Sequence, residues 1–353
     1  MKILKFILFF LNIAVVIFTL LSYVSPFVNP ERFWFFSYFG LAFIILLLLN
    51  LMFVIIWLFI DIKRTILSLS VLVVGAGFIM KTIAFNLNTH TENKDAIKVM
   101  SYNLNQGTYL YKNKKKYGSI AALVNRDKPS ILLLQELNSE RLKEDKKKFD
   151  FRYKYDIGNY GAGIYTDYKI VRKGIIAFGS LNTNSCLWAD LEINGDTVRA
   201  YSVQFMSNHI SDNAERILSG MEKNKKIEPG KIRQVLSKYK MYVRIRAKQV
   251  NKVRAHIDSC PYPVIVGGDF NDPPISYTYH QFAGFLKDAF LEKGRGLGVT
   301  YAGAIPFLRI DYIFVSKSLI VDGFYIDKSK KLSDHFPVIA YLGFSPNDKR
   351  RQQ

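Results

Sequence analysis

Five short stretches combine acids, amides and a histidine in a way that suits chemistry. SYNLN carries Asn103 and Asn105, LLLQELN carries Gln135 and Glu136, and GGDFND carries Asp269 and Asn271. RIDYIF adds Asp311, and LSDHFPV adds Asp334 and His335. Such side chains are hard oxygen ligands with one imidazole among them, a set suited to Mg2+, Mn2+ or Ca2+ and not to zinc. Taken singly, each cluster is ordinary. A lone Glu at a strand end is more often solvated or a cap, and Gly, Asn, Asp and Pro are common turn formers. Asp272, Pro273 and Pro274 keep that turn explanation, with the two glycines before them allowing close backbone approach. Five such clusters, all at the ends of β-rich runs, are harder to assign to turns alone.

The runs that carry them are IKVMSYNL, SILLLQEL, VRAYSVQF, YPVIVGGDF, RIDYIFVS and FPVIAYL, interspersed with helical stretches. The clearest helix is expected over 231–258. There Ile232, Val235, Leu236, Tyr239 and Val243 recur at helical spacing, and Ala247, Val250, Val253 and Ile257 continue the stripe. Lys and Arg fill its outer face. This pattern of short strands and amphipathic helices reads as an α/β or α+β sandwich beginning near residue 97.

Before it the composition changes. The stretches 3–24, 33–60 and 66–85 are each close to the roughly 20 apolar residues that a spanning helix needs. FIILLLLNLMFVIIWLFI is apolar on every face, which suits a hydrocarbon surround better than a one-sided core. The first stretch is longer than the core of a usual signal peptide, and two more follow it. Three spanning helices are therefore expected. Lys2 and Lys5 precede the first, and Lys63 and Arg64 lie between the second and third, whereas SPFVNPER holds one Arg against one Glu. The positive-inside rule puts those lysines in the cytoplasm and delivers residue 90 onward to the extracytoplasmic face. Lys81 can snorkel to the interface. The organisation read from these features is an anchor at 1–88, a polar linker at 89–97, a main domain at 98–345 and a basic tail at 346–353.

The chain of 353 residues has 49 Lys and Arg against 29 Asp and Glu, a net charge of +20, and most of that excess lies in the main domain. Such a balance favours anionic partners, either a nucleic-acid backbone or lipid headgroups. The run KKIEPGKIRQVLSKYKMYVRIRAKQVNKVR fits both, and also fits a simply solvated helix face. It lacks the interleaved aromatics of a single-strand binding platform. Cys186 and Cys260 have no zinc-type spacing and make no disulfide framework.

The ordered set SYN-x-N, QE, GDFN, ID-Y and SDH, spanning residues 99–342, resembles the endonuclease/exonuclease/phosphatase superfamily with its deoxyribonuclease-I-like fold. GGDFNDPPISYTYHQF followed by GLGVTY and RIDYIF is similar to a branch of bacterial membrane-anchored members. The resemblance implies a four-layered α/β sandwich that cleaves phosphoester bonds with a divalent cation, Mg2+ first and Mn2+ or Ca2+ as substitutes. It implies Glu136 and Asp334 as metal-side carboxylates, with Asn105 where some members add a ligand. Asn103 would help hold the metal-bound phosphate, and Asp269 would orient or deprotonate the attacking water. Asn271 would steady the phosphoryl oxygens. His335 would contact the scissile phosphate, with Asp311 fixing its tautomer. That division of labour is chemically sound, since in-line attack builds charge that a cation neutralises and the water needs a base within hydrogen-bond reach.

One position departs from the pattern. Many members carry a histidine in an N-x-H-L stretch, where YSVQFMSNHIS places Gln204, and His209 aligns only with a shift. Glutamine binds phosphate but cannot donate a proton to a leaving group at neutral pH. Either Gln204 binds substrate and His335 acts alone, or the protein is slow or selective. The expected function is a membrane-anchored, metal-dependent phosphodiesterase, with nucleic acid as the leading substrate and a phospholipid headgroup behind it. A catalytically weak phosphate-binding module is the alternative. No obligate protein partner is evident.

Overall fold

The computed structural model describes residues 2–89, 93, 95–109, 119–158, 160–179, 184–207, 229–303 and 305–345. The expected basic tail, and His209, lie outside the described residues. Two N-terminal helices, Lys2–Val24 and Phe43–Ile60, are long and apolar enough to cross a membrane. The stretch 33–60 was expected to be one span, but its beginning folds as separate short helices, Pro30–Phe33 and Phe36–Leu41. Proline opens the first of these, and the Asn29 side chain accepts from the Glu31 amide at 2.9 Å.

The expected third span is a bent pair, Ile62–Val74 and Ala76–Thr82, with 59° between its halves. The bend has a steric cause at Gly75, where a Cβ would lie 1.9 Å from the Tyr23 hydroxyl. That hydroxyl donates to the Val71 carbonyl at 2.8 Å, so Tyr23 occupies the space a side chain at 75 would take. Buried amides tie the bundle together. Asn12 donates to Ser68 at 2.6 Å, Trp57 donates to Asn12 at 2.9 Å, and Asn50 donates to Thr19 at 2.8 Å.

Past Thr82 the chain does not run free. Strand β1 (Ala84–Phe85) pairs with a short strand at Arg295–Gly296, and the Asn86 amide donates to the carbonyls of Leu291 and Gly294. The last residues of the expected anchor are thus docked on the main domain, and the linker touches it too, through the Phe324 N–H donating to the Thr89 carbonyl and Asn93 Nδ2 donating to Asp322 Oδ2, each at 3.1 Å.

Two six-stranded sheets form that domain. The first contains β2 (Ile97–Asn103), β3 (Ile131–Asn138), β4 (Tyr153–Asp156) and β5 (Tyr160–Thr166). The second begins with β6 (Lys169–Ile176), β7 (Cys186–Ile193), β8 (Asp196–Gln204) and β9 (Val264–Asp269), then β10 (Lys287–Asp288). After the pairing strand β11 (Arg295–Gly296), β12 (Asp311–Val315) completes the second sheet, and β13 (Leu319–Ile326) and β14 (Val338–Phe344) complete the first. Strand orders are β13-β14-β2-β3-β5-β4 and β10-β12-β9-β8-β7-β6.

The four layers follow from strand periodicity. Alternate residues Val99, Ile131, Leu133, Ile265, Ile313 and Val315 meet in a core between the sheets. Their neighbours Met100, Tyr102, Leu132 and Leu134 face outward onto the helix Ile120–Asp127. On the other side Val264, Val266, Tyr312 and Phe314 face the helix Pro229–Asp258, through Val250, Val253 and Ile257. Both inner strands are thus covered on two faces, which is why they read as continuous apolar runs. The expected stripe holds from Tyr239 to Ile257, but Leu236 is exposed, and the side chain of Ile232 lies outside the described residues. Cys186 and Cys260 are free thiols.

Candidate active site

Strand direction brings the polar clusters together. β2 and β3 run parallel with Asn103 opposite Gln135, so Asn103 and Glu136 leave the first sheet at the same edge. β8 and β9 are likewise parallel with Gln204 opposite Asp269, while β12 enters antiparallel with Asp311 opposite Asp269. Close contact between the strands needs the glycines. A Cβ at Gly267 would lie 2.5 Å from Leu133 Cδ1, and one at Gly268 would lie 1.9 Å from the Val203 carbonyl oxygen.

Glu136 sits where the β3–β5 register shifts, between Leu134 and Leu137, and its φ of 51° is left-handed. This bulge turns the side chain toward the site instead of along the pleat. Two amides hold it, since Glu136 Oε1 accepts from Gln204 Nε2 at 2.7 Å and from Asn103 Nδ2 at 3.2 Å. Asn103 Nδ2 also donates to Asp269 Oδ2 at 2.9 Å, joining the carboxylates contributed by the two sheets. Asp269 accepts further from the Asn271 backbone and side-chain nitrogens, each at 2.9 Å.

His335 Nδ1 lies 3.0 and 2.9 Å from the two Asp311 oxygens, so its proton is held there. Its other nitrogen, Nε2, stands 3.9 Å from Asp269 Oδ2. Thr300 Oγ1 accepts from the backbone of Ile310 and Asp311, and the Tyr301 ring packs edge-on to His335 at 5.3 Å. Asp334, partly exposed beside His335, accepts from the Ser333 hydroxyl at 3.2 Å. Among the described residues, Asn105 joins the cluster only through Asn103. Its backbone N–H donates to Asn103 Oδ1 at 2.9 Å, and its side-chain oxygen faces Thr108 at 3.4 Å.

Burial and crowded carboxylates set the proton affinities. Burial pushes Glu136 above its ordinary range, and the charge of Asp334 adds to that, against hydrogen bonds from Asn103 and Gln204 and the opposite charge of His335. Asp269 is also raised, chiefly by burial, with Asp311 and Glu136 repelling its charge and His335 relieving part of it. For His335 burial opposes the imidazolium, but Asp311, Asp269 and Asp334 outweigh it and hold the ring well above its usual pKa.

Several supporting residues carried little or no sequence signal. Ser202 accepts from the Gln135 amide at 3.1 Å and donates to the Leu134 carbonyl at 2.8 Å, bridging the sheets under the site. Asp272, read as a turn residue, is a buried partner of Arg246 at 3.1 Å. A signal did exist there, because Arg246 falls on the apolar stripe of its helix between Val243 and Val250.

Residues 100–335 match the Endonuclease/Exonuclease/phosphatase family. The chain belongs to that family. Residues 5–82 match DUF8431, a domain of unknown function. None of the curated proteins compared matches the chain in sequence. Among solved structures, D. rerio TDP2 humanized by 14 mutations is 17% identical, with 71% of this chain and 100% of that one covered at a TM-score of 0.50. D. rerio TDP2 complexed with a single strand DNA product is 17% identical, with 70% and 98% covered and a TM-score of 0.50. A Bacteroides thetaiotaomicron mannosyl-6-phosphatase is 20% identical, with 70% and 100% covered and a TM-score of 0.48. At these identities the likeness bears on the fold alone. The two TDP2 structures agree with the mixed α/β fold traced above.

The family is one of divalent-metal-dependent phosphoester hydrolases, and the donor set fits such an ion. Glu136, Asp269, Asp311 and Asp334 are set against a single imidazole, and two of those carboxyls are raised by burial and mutual repulsion. A divalent cation would relieve this. Asp269, Asp311 and His335 form one compact group with ligand atoms within 4.8 Å of one another. The hydrogen bond within Asp311–His335 and the two amides on Asp269 already occupy most of that group. Glu136 and Asp334 are the freer carboxylates.

Gln204 has a distinct place. Its amide nitrogen is committed to Glu136, and its buried Oε1 has no hydrogen-bond partner among the described residues. Reversing the amide would set an oxygen against the carboxylate, so the orientation is chemically required. An acceptor cannot bind an anionic phosphate oxygen, but it can accept from a water held by a cation or from a substrate hydroxyl. Replacing Gln204 by alanine is expected to raise the Mg2+ concentration needed for half-maximal turnover by about 10–100-fold, as loss of a ligand-orienting partner does. A metal titration of initial rates checks this, and an unchanged half-saturation point would assign Gln204 elsewhere.

Proposed function

We propose that the chain is a membrane-anchored phosphoester hydrolase that uses a divalent cation held by Glu136 and Asp334, with Asn105 nearby. When bound, the cation neutralises charge on the phosphoryl oxygens and acts as a Lewis acid. Asp269, with Oδ2 fixed by Asn103 and Asn271, orients the attacking water and takes its proton, a task that suits a carboxyl raised by burial. His335 presents Nε2 to the phosphate while Asp311 retains Nδ1–H, the same logic as other oriented imidazoles. Asn103 spends its amide hydrogens on Glu136 and Asp269, and Asn271 spends its own on Asp269 and the Phe205 carbonyl, so both act by holding the carboxylates in place rather than by gripping the phosphoryl oxygens. The observation that carries this reading is the 3.9 Å approach of His335 Nε2 to the amide-held Asp269, next to Glu136.

Three crossings with the main domain outside the cytoplasm are supported by which ends of the bundle touch that domain. The connection after the first helix reaches it through Tyr38 Oη to the Leu236 carbonyl at 2.7 Å, and the end of the third through Arg309 Nη2 to the Lys81 carbonyl at 2.7 Å. Lys5 and Arg64 meet at the opposite end, where Arg64 donates to the Lys5 carbonyl at 3.2 Å.

A second reading concerns substrate. Ile275, in the loop that follows Asp269 and Asn271, is buried among Val16, Tyr23, Phe43 and Val71 of the bundle. Arg309, two residues from Asp311, is tied to the end of the third helix. Both walls of the site thus rest on the anchor, which favours a phosphoester presented at the bilayer surface over a distant nucleic acid.

The test is hydrolysis of bis-p-nitrophenyl phosphate by the full chain in detergent. Release of nitrophenol is expected with Mg2+, to stop with EDTA and to return with excess Mg2+. Turnover indifferent to EDTA, or none under any divalent ion, would contradict the proposal.

A further inference from the structure

The exposed face of the helix Pro229–Asp258 carries cations at a regular interval that neither the core nor the site uses. Lys240, Arg244 and Lys248 stand one helical turn apart and, with Ser237, Met241 and Ile245, line an open groove of about 430 Å³. Leu236 and Met241 leave apolar surface exposed beside it, at 46% and 48%.

The position of this groove is fixed by the anchor. Lys240 Nζ lies 4.6 Å from the centre of the Trp34 ring, and Lys248 lies 3.9 Å from Glu31. Tyr38 and Tyr239 pack at 4.8 Å, and Tyr239 donates to the Ser37 carbonyl at 3.1 Å. Residues 31–38 belong to the connection between the helices Lys2–Val24 and Phe43–Ile60, so they must lie where those helices leave the hydrocarbon. Tryptophan and tyrosine favour that level of a bilayer. The cationic groove therefore sits at the height of the lipid phosphates, with an apolar edge beside it.

We propose that the groove lined by Lys240, Arg244 and Lys248 seats the headgroup of an anionic phospholipid from the surrounding leaflet. With Lys248 shared with Glu31, Lys240 and Arg244 leave the groove positive toward a phosphate, Trp34 marks the interface, and Leu236 and Met241 meet the upper acyl chain. An occupied groove would clamp the long helix to the connection and so hold the site loop, which Arg246 of the same helix grips, at a fixed height above the bilayer. This inference rests on the anchoring proposed above and not on the hydrolysis. Release of the chain from membranes by alkaline carbonate without detergent would refute the anchoring by itself.

The test of the groove uses the full chain in a zwitterionic detergent, with thermal unfolding followed during titration by dioctanoyl phosphatidylglycerol. A rise in melting temperature of a few degrees is expected for the wild type. The expected shift is absent with dioctanoyl phosphatidylcholine or inorganic phosphate, and is lost in the variant Lys240→Gln/Arg244→Gln/Lys248→Gln. These residues lie on the outer face of the helix, so the variant's unshifted melting point reports its folding. Lys248→Gln alone, on an exposed cation, is expected to lose part of the shift. An equal shift in the wild type and the triple variant overturns the proposal, as does no shift in the wild type. A shift produced by a single-stranded oligonucleotide in place of the lipid, and lost in the triple variant, overturns it in favour of nucleic acid.

Discussion

Replacing Glu136 by glutamine is expected to lower metal-dependent phosphoester turnover by on the order of 10²–10³-fold, the scale of a lost partner for transition-state charge. The substitution is close to isosteric. Its carbonyl oxygen can still accept from Asn103 and Gln204, so the bulge at the end of β3 and the link to Asp269 persist. What disappears is the negative charge. That charge costs the folded protein stability when no cation is bound, because burial and Asp334 raise the carboxyl's pKa. A carboxyl raised on folding favours the folded state at low pH, and that advantage is lost as pH rises through the raised value. Glu136→Gln is therefore expected to melt at or above the wild-type temperature near neutral pH while losing activity. Loss of activity together with a lower melting temperature would instead mark a folding defect.

The second large effect is on stability. Arg246 is fully buried, makes a 3.1 Å ion pair with Asp272, and donates to the Asn271 carbonyl. Asp272 is fixed in turn by the Thr278 hydroxyl at 2.6 Å. Removing one member of a buried pair strands the other charge, at a cost of about 3–5 kcal/mol. Arg246→Met is expected to destabilise the main domain by that amount and to loosen the loop bearing Asp269 and Asn271. Adding Asp272→Asn should recover part of the loss, because the stranded charge is gone. Urea unfolding of the four proteins in the cycle measures the coupling. A single variant as stable as the wild type would show that the pair contributes little.

Much of the site was legible because its chemistry interrupts apolar strands. Asn103, Glu136, Asp269 and Asp311 stand out for being polar where the pattern calls for valine or leucine, and parallel pairing then carries them to one edge. Gln204 was visible as an oddity, but its partner was not, since only the meeting of the two sheets brings it to Glu136. Arg246 reads as one cation among many on a basic helix, although its place on the apolar face marks it. In the anchor, hydropathy located the apolar helices but could not register the bend at Gly75, which depends on Tyr23 from another helix. Nor could it show that the third apolar stretch ends early and pairs at Ala84–Phe85 with the main domain, because the partners at Arg295–Gly296, Leu291 and Gly294 are distant in sequence.

The most direct measurement of the central claim is Mn2+ binding to the full chain, followed by electron paramagnetic resonance, for the wild type and Glu136→Gln. Saturable binding of one ion in the wild type, displaced by Mg2+ and severely weakened in the variant, is the expected result. Equal binding by the two proteins would contradict a cation centre built on Glu136.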